Sequence, residues 1–181
     1  RVGGTITKEF ASITHQYPML SLGNTYSPQE LEDFDGRVAK GLDGDVYEYF
    51  CELKFDGVSI SLIYENGLLT HGITRGDGVK GDDVTANVKT IKSLPLRILS
   101  KSIPKKFEVR GEIFLPKNVF KQLNKEREDI GEETYANARN TASGTLKMQD
   151  SAEVAKRKLD CYVYYLLGED IGVKTHSEAI T

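Results

Sequence analysis

The chain carries, at residues 51–60, the stretch Cys51-Glu52-Leu53-Lys54-Phe55-Asp56-Gly57-Val58-Ser59-Ile60. Its charged and apolar residues alternate, as they do along a half-buried strand whose side chains point to opposite faces in turn. The alternation predicts that Glu52, Lys54 and Asp56 share one face, and Gly57 then permits a turn or a close approach to a ligand. An amine between two carboxylates, on a strand whose other face packs against the hydrophobic core, is a candidate nucleophile. The alternative is an edge strand whose charges pair in solvent, because so short a motif arises easily by chance.

Size and composition describe an ordinary globular protein. A length of 181 residues is enough for one domain with a hydrophobic core. The composition, 39% hydrophobic and 28% charged, is typical of globular proteins. No apolar run approaches the roughly 20 residues of a membrane helix. The cysteines, Cys51 and Cys161, lie far apart without a C-x-x-C partner, which disfavours a disulfide framework or zinc site and favours reduced thiols. We therefore expect a cytoplasmic monomer with no membrane association, and the net charge of -3 indicates no bulk basic field for nucleic acid.

The two ends of the chain have the character of cut ends. The chain starts at Arg1 without Met, and its last residues, from Thr175 to Thr181, resemble the start of a helix with Ser177 as a possible cap. We therefore expect an excised fragment of a longer protein.

The pattern of hydrophobic residues and turn signals predicts an α+β fold with mainly antiparallel sheet and flanking helices. Residues 1–26 are expected to be mostly irregular. A helix is predicted from the Ser27 cap to Gly41, with Glu30 completing a capping box. The other predicted elements are strands at 46–56, 58–64, 68–75, 107–115 and 159–167, a hairpin turn at 65–67, helices at 83–92 and from Pro116 onward, and a long polar segment at 124–151.

Three further stretches could carry chemistry. The segment 74–83 reads T-R-G-D-G-V-K-G-D-D, whose glycines suit close backbone approach to a phosphate and whose arginine suits bidentate phosphate binding. Residues 108–112 read E-V-R-G-E, which places Glu108, Arg110 and Glu112 on one strand face. Residues 137–147 read N-A-R-N-T-A-S-G-T-L-K, small residues with two cations for an anionic ligand. The alternatives are a solvated turn, a surface salt-bridge ladder of small value and an ordinary capped loop, respectively.

Together these stretches make the chain resemble the adenylation domain of bacterial NAD-dependent DNA ligases. The resemblance covers nearly the whole chain in family order: His15-Gln16-Tyr17-Pro18-Met19-Leu20-Ser21-Leu22-Gly23-Asn24, the lysine motif, T-R-G-D-G, E-V-R-G-E, A-N-A-R-N-T-A-S-G-T-L, Tyr164 and the terminal T-H-S-E. It implies a nucleotidyltransferase fold, similar to ATP-grasp folds and incomplete at its C-terminal end. It also implies that residues 1–181 are an adenylation-domain fragment, of which residues 1–14 are the exit segment from a missing N-terminal helical domain.

The resemblance implies a role for each matching residue. Lys54 would attack the α-phosphate of NAD, form lysyl-AMP and release nicotinamide mononucleotide, after which the AMP passes to a DNA 5′-phosphate and the nick is sealed. The implied nucleotide-binding positions are Ser21, Leu22, Glu52, Asp56, Arg75, Glu112 and Tyr164, with Tyr164 stacking on adenine. Arg139 would lie between nucleotide and DNA backbone. Mg²⁺ would offset the charge of the acids and phosphates, and we assign no metal ligand firmly.

Two residues depart from the family pattern. Lys147 stands where the family usually has arginine, so the charge remains but the bidentate fork is lost. Tyr135 replaces the usual phenylalanine. The partners implied for a full-length protein are NAD and nicked duplex DNA, in replication and repair.

Two other interpretations stay open. One is an ATP-dependent ligase or capping enzyme, which shares K-x-D-G but is disfavoured by the longer motif matches. The other, from a different class, is a weak AMP- or DNA-binding module without activity, formed by Arg75, Arg139 and Lys147.

Overall fold

The computed structural model describes residues 9–100 and 102–180. The described residues form two compact units, of which Leu20–Leu53 are the smaller one and residues 9–19 with the described residues from Lys54 onward are the larger one. The predicted exit segment at 1–14 lies largely outside the described residues. None of the helices between residues 9 and 180 that the structure describes is long and apolar enough to cross a membrane.

Strands and helices alternate irregularly along the chain. The strands are β1 (Ser12–Thr14), β2 (Val58–Glu65), β3 (Leu68–Thr74), β4 (Lys80–Asp82), β5 (Lys106–Phe114) and β6 (Asp160–Leu167). The helices are α1 (Pro28–Leu42), α2 (Thr85–Val88), α3 (Lys117–Asp129), α4 (Ala138–Leu146), α5 (Ser151–Lys156) and α6 (His176–Ile180). This mixture, with antiparallel sheets, confirms the predicted α+β class.

A four-stranded antiparallel sheet, in the order β3-β2-β5-β6, forms the centre of the larger unit. The turn between β2 and β3 lies at the predicted position. Asn66 and Gly67 have φ values of 50° and 77°, as a tight two-residue hairpin turn requires. A separate two-stranded antiparallel sheet pairs β1 with β4.

One face of the four-stranded sheet covers the hydrophobic core. Ile60, Leu62 and Tyr64 of β2 are almost fully buried there, and the Tyr64 ring stacks on Phe107 with centroids 5.2 Å apart. Helices α2, α4 and α5 contribute buried side chains to the same core. The opposite face carries Ser59, Ser61 and the alternating charges of β5, because cross-strand neighbours share a face.

The smaller unit consists of α1 and irregular chain. Ser27 Oγ accepts a hydrogen bond from Glu30 N at 3.2 Å, and the Glu30 carboxylate accepts one from Tyr26 N at 2.7 Å, so the predicted cap is confirmed. The helix continues one residue past Gly41, and Asp43 then adopts φ 48°.

The predicted strand at 46–56 is wrong. No strand among the described residues pairs with this segment, and its apolar side chains stay exposed, Val46 at 98% and Leu53 at 80%. Instead, the hydroxyls of Tyr47 and Tyr49 donate hydrogen bonds to Asp35 of α1, at 2.7 and 2.8 Å. Alternation without a neighbouring strand therefore leaves irregular chain, held in part by side-chain hydrogen bonds.

The remaining differences concern short or polar elements. The polar segment 124–151 contains α4, and α5 begins at its end; Asn137 and Asp150 cap these two helices. The predicted helix 83–92 is only the four residues of α2. Ser177 lies inside α6, and Thr175 Oγ1 accepts the capping hydrogen bond from Glu178 N at 3.3 Å.

Candidate functional site

The centre of the candidate site is the buried carboxylate of Glu112 on β5. Glu112 is 7% exposed. Its Oε1 accepts a hydrogen bond from Gly57 N at 3.1 Å, and its Oε2 accepts one from Ser59 Oγ at 2.9 Å. Both oxygens therefore bind the chain that follows the lysine motif, which fixes Gly57 against the sheet.

Position 57 requires glycine because the backbone there lies very close to β5. A Cβ added at this position would lie 2.2 Å from the carbonyl oxygen of Ile113, a distance that no real side chain tolerates. The predicted close approach of Gly57 is therefore an approach to a neighbouring strand. A larger residue would push the chain away from Glu112 and break its hydrogen bond.

A buried ion pair lies next to Glu112 on the same strand face. Arg110 Nε and Glu108 Oε1 are 2.8 Å apart, and their side chains are 13% and 5% exposed. Arg110 also donates to the carbonyl oxygens of Tyr17 and Pro18, at 2.6 and 3.1 Å. The three charged side chains share one face of β5, as predicted. This face is buried, so the alternative of a solvent-exposed salt-bridge ladder is wrong.

The lysine segment itself is irregular. Lys54 and Asp56 are exposed and belong to no strand, so the predicted strand geometry for their shared face is wrong. Tertiary contacts hold the segment instead. The Phe55 ring stacks on Tyr162 of β6 with centroids 4.4 Å apart, and Asp56 Oδ1 pairs with Arg139 Nη1 at 3.0 Å.

Helix α4 contributes the two cations of the third motif. Arg139 lies in its first turn, after the Asn137 cap, and forms the exposed ion pair with Asp56. Lys147 lies at the opposite end of the helix, where its Nζ is 2.8 Å from Asp82 Oδ2 of β4. The structure therefore brings Arg139 to the lysine segment and Lys147 to the glycine-rich segment.

Tyr164 is half-buried on β6. Burial raises the pKa of its phenol, and a hydrogen bond with Ser59 opposes that shift. Since Ser59 also donates to Glu112, the three side chains form one connected group. Ser59 is a residue that sequence reasoning missed, and only its position five residues after Lys54 could have drawn attention to it.

The glycine-rich loop is closed on itself. The amides of Val79 and Lys80 donate to Asp77 Oδ1 at 2.8 and 2.7 Å, which lowers the pKa of that carboxyl, and Gly78 N donates to Arg75 O at 3.0 Å. Asp77 N donates to Lys80 O at 3.2 Å. These amides already have acceptors within the loop, which favours the alternative of a turn, and close approach of the loop to a phosphate stays a prediction.

His15 binds the residues at the start of this loop, a role that the sequence did not predict. It is 8% exposed, and its Nε2 lies 3.1 Å from Thr74 O and 3.2 Å from Arg75 O. Both carbonyls accept, so Nε2 carries the proton. No hydrophobic or charge pattern marks a histidine that binds backbone carbonyls.

Three predicted residues belong to the smaller unit. Ser21, Leu22 and Glu52 are exposed in irregular chain, and Leu22 is 77% exposed. Their assignment to nucleotide binding stays a prediction.

The two cysteines differ in their environment, since Cys51 is exposed and Cys161 is buried. Both are free, and burial raises the pKa of the Cys161 thiol to about 12, so this thiol stays protonated at neutral pH. Within residues 9–100 and 102–180, no group of three or more His, Cys, Asp or Glu side chains could hold a metal ion.

Comparison with known proteins places residues 7–181 on the family model described as the NAD-dependent DNA ligase adenylation domain. The chain is 61% identical over 180 residues to a DNA ligase of Cytophaga hutchinsonii, covering 99% of this chain and 27% of the relative. It is 58% identical over 178 residues to a DNA ligase of Phocaeicola vulgatus, covering 98% and 27%. It is 53% identical over 180 residues to a DNA ligase of Flavobacterium psychrophilum, covering 99% and 27%. The chain thus spans about a quarter of the length of these relatives.

Proposed function

This chain belongs to the adenylation-domain family of NAD-dependent DNA ligases, and from that premise we propose that Lys54 is its AMP acceptor. The Lys54 amine attacks the α-phosphate of NAD. A nitrogen–phosphorus bond forms, the bond from that phosphorus to the bridging oxygen breaks, and nicotinamide mononucleotide leaves. The amine must also lose a proton, and Glu52 and Asp56, each two residues from Lys54, are the carboxylates nearest in sequence to accept it.

The observation that carries this proposal is the connection of three distant segments around Lys54. Glu112 binds Gly57 and Ser59, while Arg139 pairs with Asp56. Residues that the family motifs place in one reaction therefore meet within one compact unit. A solvated edge strand with paired charges would need neither the buried carboxylate nor the arginine of α4.

The nucleotide would lie next to the Glu112 end of β5. We propose that Glu112 and Arg75 contact the ribose or phosphates and that Tyr164 stacks on adenine. The half-buried phenol of Tyr164, tied to Ser59, supports a ring held in one orientation. Ser21, Leu22 and Glu52 remain proposed nucleotide-binding residues, as the family motifs imply.

Mg²⁺ binds through few protein ligands when phosphates are present, commonly one or two carboxylates with waters and phosphate oxygens. The residues present fit that manner of binding, because Asp56 is an exposed carboxylate two residues from Lys54 with only its Oδ1 in the ion pair with Arg139, whereas both oxygens of Glu112 accept hydrogen bonds from buried and half-buried groups of the chain. We propose Asp56 as the protein ligand. The ion would neutralise charge on the transferred phosphoryl group.

For a full-length protein we propose nick sealing in duplex DNA during replication and repair, by a cytoplasmic monomer with a nucleotidyltransferase fold similar to ATP-grasp folds. Arg139 and Lys147 are the proposed DNA-facing or phosphate-facing cations. Lys147 is in an ion pair with Asp82 at 2.8 Å, so it would have to exchange that carboxylate for a phosphate.

Lys54→Ala tests the proposal most directly. A full-length form containing this chain, incubated with NAD and Mg²⁺, is expected to gain one covalently bound AMP by intact-mass spectrometry, and Lys54→Ala is expected to gain none. Lys156→Ala is the matched control, because Lys156 is a surface lysine of α5 whose side chain is 70% exposed. Adenylation of Lys54→Ala would refute the assignment.

Two further arms separate the other interpretations. Adduct formation from ATP in place of NAD would favour an ATP-dependent nucleotidyltransferase. We expect the 181-residue chain alone to be adenylated poorly, as a weak binding module would be; efficient transfer to it would contradict that expectation.

A further inference from the structure

Tyr162 lies in a stack of three aromatic rings beside the candidate site. Its ring stacks on those of both Phe55 and Phe114, with centroid distances of 4.4 and 4.9 Å and interplanar angles of 25° and 12°. These distances and angles are those of offset stacking between aromatic side chains. Yet Tyr162 is 51% exposed, so the stack is not a continuation of the hydrophobic core.

The stack is the contact closest in sequence to Lys54. Residues 54–56 belong to no strand and form no sheet ladder. Their neighbouring anchors are the exposed Asp56–Arg139 pair and the hydrogen bond from Gly57 N to Glu112. An exposed ion pair holds a backbone weakly, since solvent screens it. The ring of Phe55, the next residue after Lys54, is therefore the strongest fixed point adjacent to the amine-bearing residue.

One cross-strand pair supplies two of these anchors. Glu112 and Tyr162 are direct partners in the antiparallel register of β5 and β6. Glu112 binds Gly57, and Tyr162 stacks on Phe55, so the two partners hold alternate residues of the same short segment. The strands approach closely here, because a Cβ at Gly111 would lie 2.4 Å from Tyr162 O.

We propose that Tyr162 is a positioning residue for the amine of Lys54. Its ring, supported from behind by Phe114, holds Phe55 and thereby fixes the backbone from which the Lys54 side chain reaches the α-phosphate. This inference rests on the proposed function of Lys54. It differs from the role proposed for Tyr164, which contacts the nucleotide itself.

The test separates positioning from general stability by comparing two reaction steps. Formation of lysyl-AMP from NAD uses the Lys54 amine as nucleophile, whereas closure of a nick already carrying a 5′-AMP does not. In a full-length form, Tyr162→Leu is expected to slow lysyl-AMP formation by about 10-fold to 100-fold at saturating NAD, since misplacement of a reacting group by about 1 Å can cost that much. Closure of the pre-adenylated nick is expected to change by less than about 3-fold, well below that cost.

Two variants sharpen this test. Tyr162→Phe keeps the stacked ring and is expected to restore lysyl-AMP formation to the unmodified rate. Phe55→Leu removes the partner ring and should reproduce the defect of Tyr162→Leu. The double variant should be no slower than either single one, because both remove the same contact.

Tyr165→Leu is the matched control, since Tyr165 is a comparably exposed tyrosine of β6 whose ring faces His176 at 5.2 Å. An unaltered rate for Tyr162→Leu, an equal loss in both steps, or no rescue by Tyr162→Phe would overturn the inference. Lys54→Ala is assayed alongside. If it still forms the adduct, the proposed function fails; if it forms none while Tyr162→Leu reacts normally, only the positioning role fails.

Discussion

Two segments of this chain share one charge pattern but adopt different structures. Residues 52–56 read E-L-K-F-D, and residues 108–112 read E-V-R-G-E. The second segment is the centre of β5, hydrogen-bonded to β2 on one side and β6 on the other. The first belongs to no strand. Alternation of charged and apolar residues therefore specifies which side chains could share a face. The segment becomes a strand only where neighbouring strands provide backbone hydrogen bonds.

The same contrast applies to the charges. On β5 the Glu108–Arg110 pair is buried and supplemented by hydrogen bonds to two backbone carbonyls. At the lysine segment, the Asp56–Arg139 pair has side chains 75% and 55% exposed. We infer that the buried Glu108–Arg110 pair maintains the structure, whereas the exposed Asp56–Arg139 pair can exchange its contact for one with a ligand.

The largest expected effect is on the buried pair. Arg110→Met leaves Glu108 buried without its cation and should lower the free energy of unfolding by about 3–5 kcal/mol, measured by urea denaturation. Replacing both residues by Met should recover much of that loss, because no uncompensated charge remains. If Arg110→Met were as stable as the original chain, the buried β5 pair would contribute no more to stability than the exposed Asp56–Arg139 pair, and the contrast between the two segments would fail.

An intermediate effect separates stability from activity. Asp56→Asn should change the free energy of unfolding by less than about 1 kcal/mol, since exposed ion pairs contribute little. The same change should reduce lysyl-AMP formation in a full-length form, which is followed by intact mass. Arg139→Met is the partner variant for stability. A loss of stability for Asp56→Asn as large as that for Arg110→Met would contradict the contrast.

The smallest expected effect concerns Asp35 in the smaller unit. Hydrogen bonds from Tyr47 and then Tyr49 lower the pKa of its carboxyl. A carboxyl whose pKa is lower when folded stabilises the contact fully above its unfolded pKa of about 4, and that contribution is lost as pH falls through the folded pKa. NMR contacts between α1 and the two tyrosine rings should therefore weaken below about pH 4. In Asp35→Asn they should not respond to pH in this range, and a response like that of the unmodified chain would argue against Asp35 as the titrating group.

Local signals explain how much of the fold could be predicted. Strands β2, β3, β5 and β6 and helix α1 have alternation, a two-residue turn or a cap within their own sequence. Helices α4 and α5 were missed because they are short and polar, although Asn137 and Asp150 marked their starts. The strand at 46–56 was predicted wrongly because the absence of a neighbouring strand leaves no mark in the segment itself.

The candidate site was predictable to a different extent. Family motifs indicated Lys54, Glu112 and Arg139 as one group, but no local pattern connects Gly57 with Glu112, which are 55 residues apart. The stacking of Phe55 on Tyr162 is a tertiary contact, which became visible only in three dimensions. The hydrogen bonds of the glycine-rich loop are local, but the sequence motif does not specify which of its amides they occupy.

The order β3-β2-β5-β6 has a consequence for folding kinetics. The β2–β3 hairpin closes over two turn residues, whereas pairing β2 with β5 must close a long loop, whose entropy cost rises with length. During synthesis, which proceeds from the N-terminus, Lys54 leaves the ribosome well before Glu112, Arg139 and Tyr162. The segment around Lys54 therefore acquires its anchors late in folding, and premature chain termination before residue 112 would leave the β2–β3 hairpin without them.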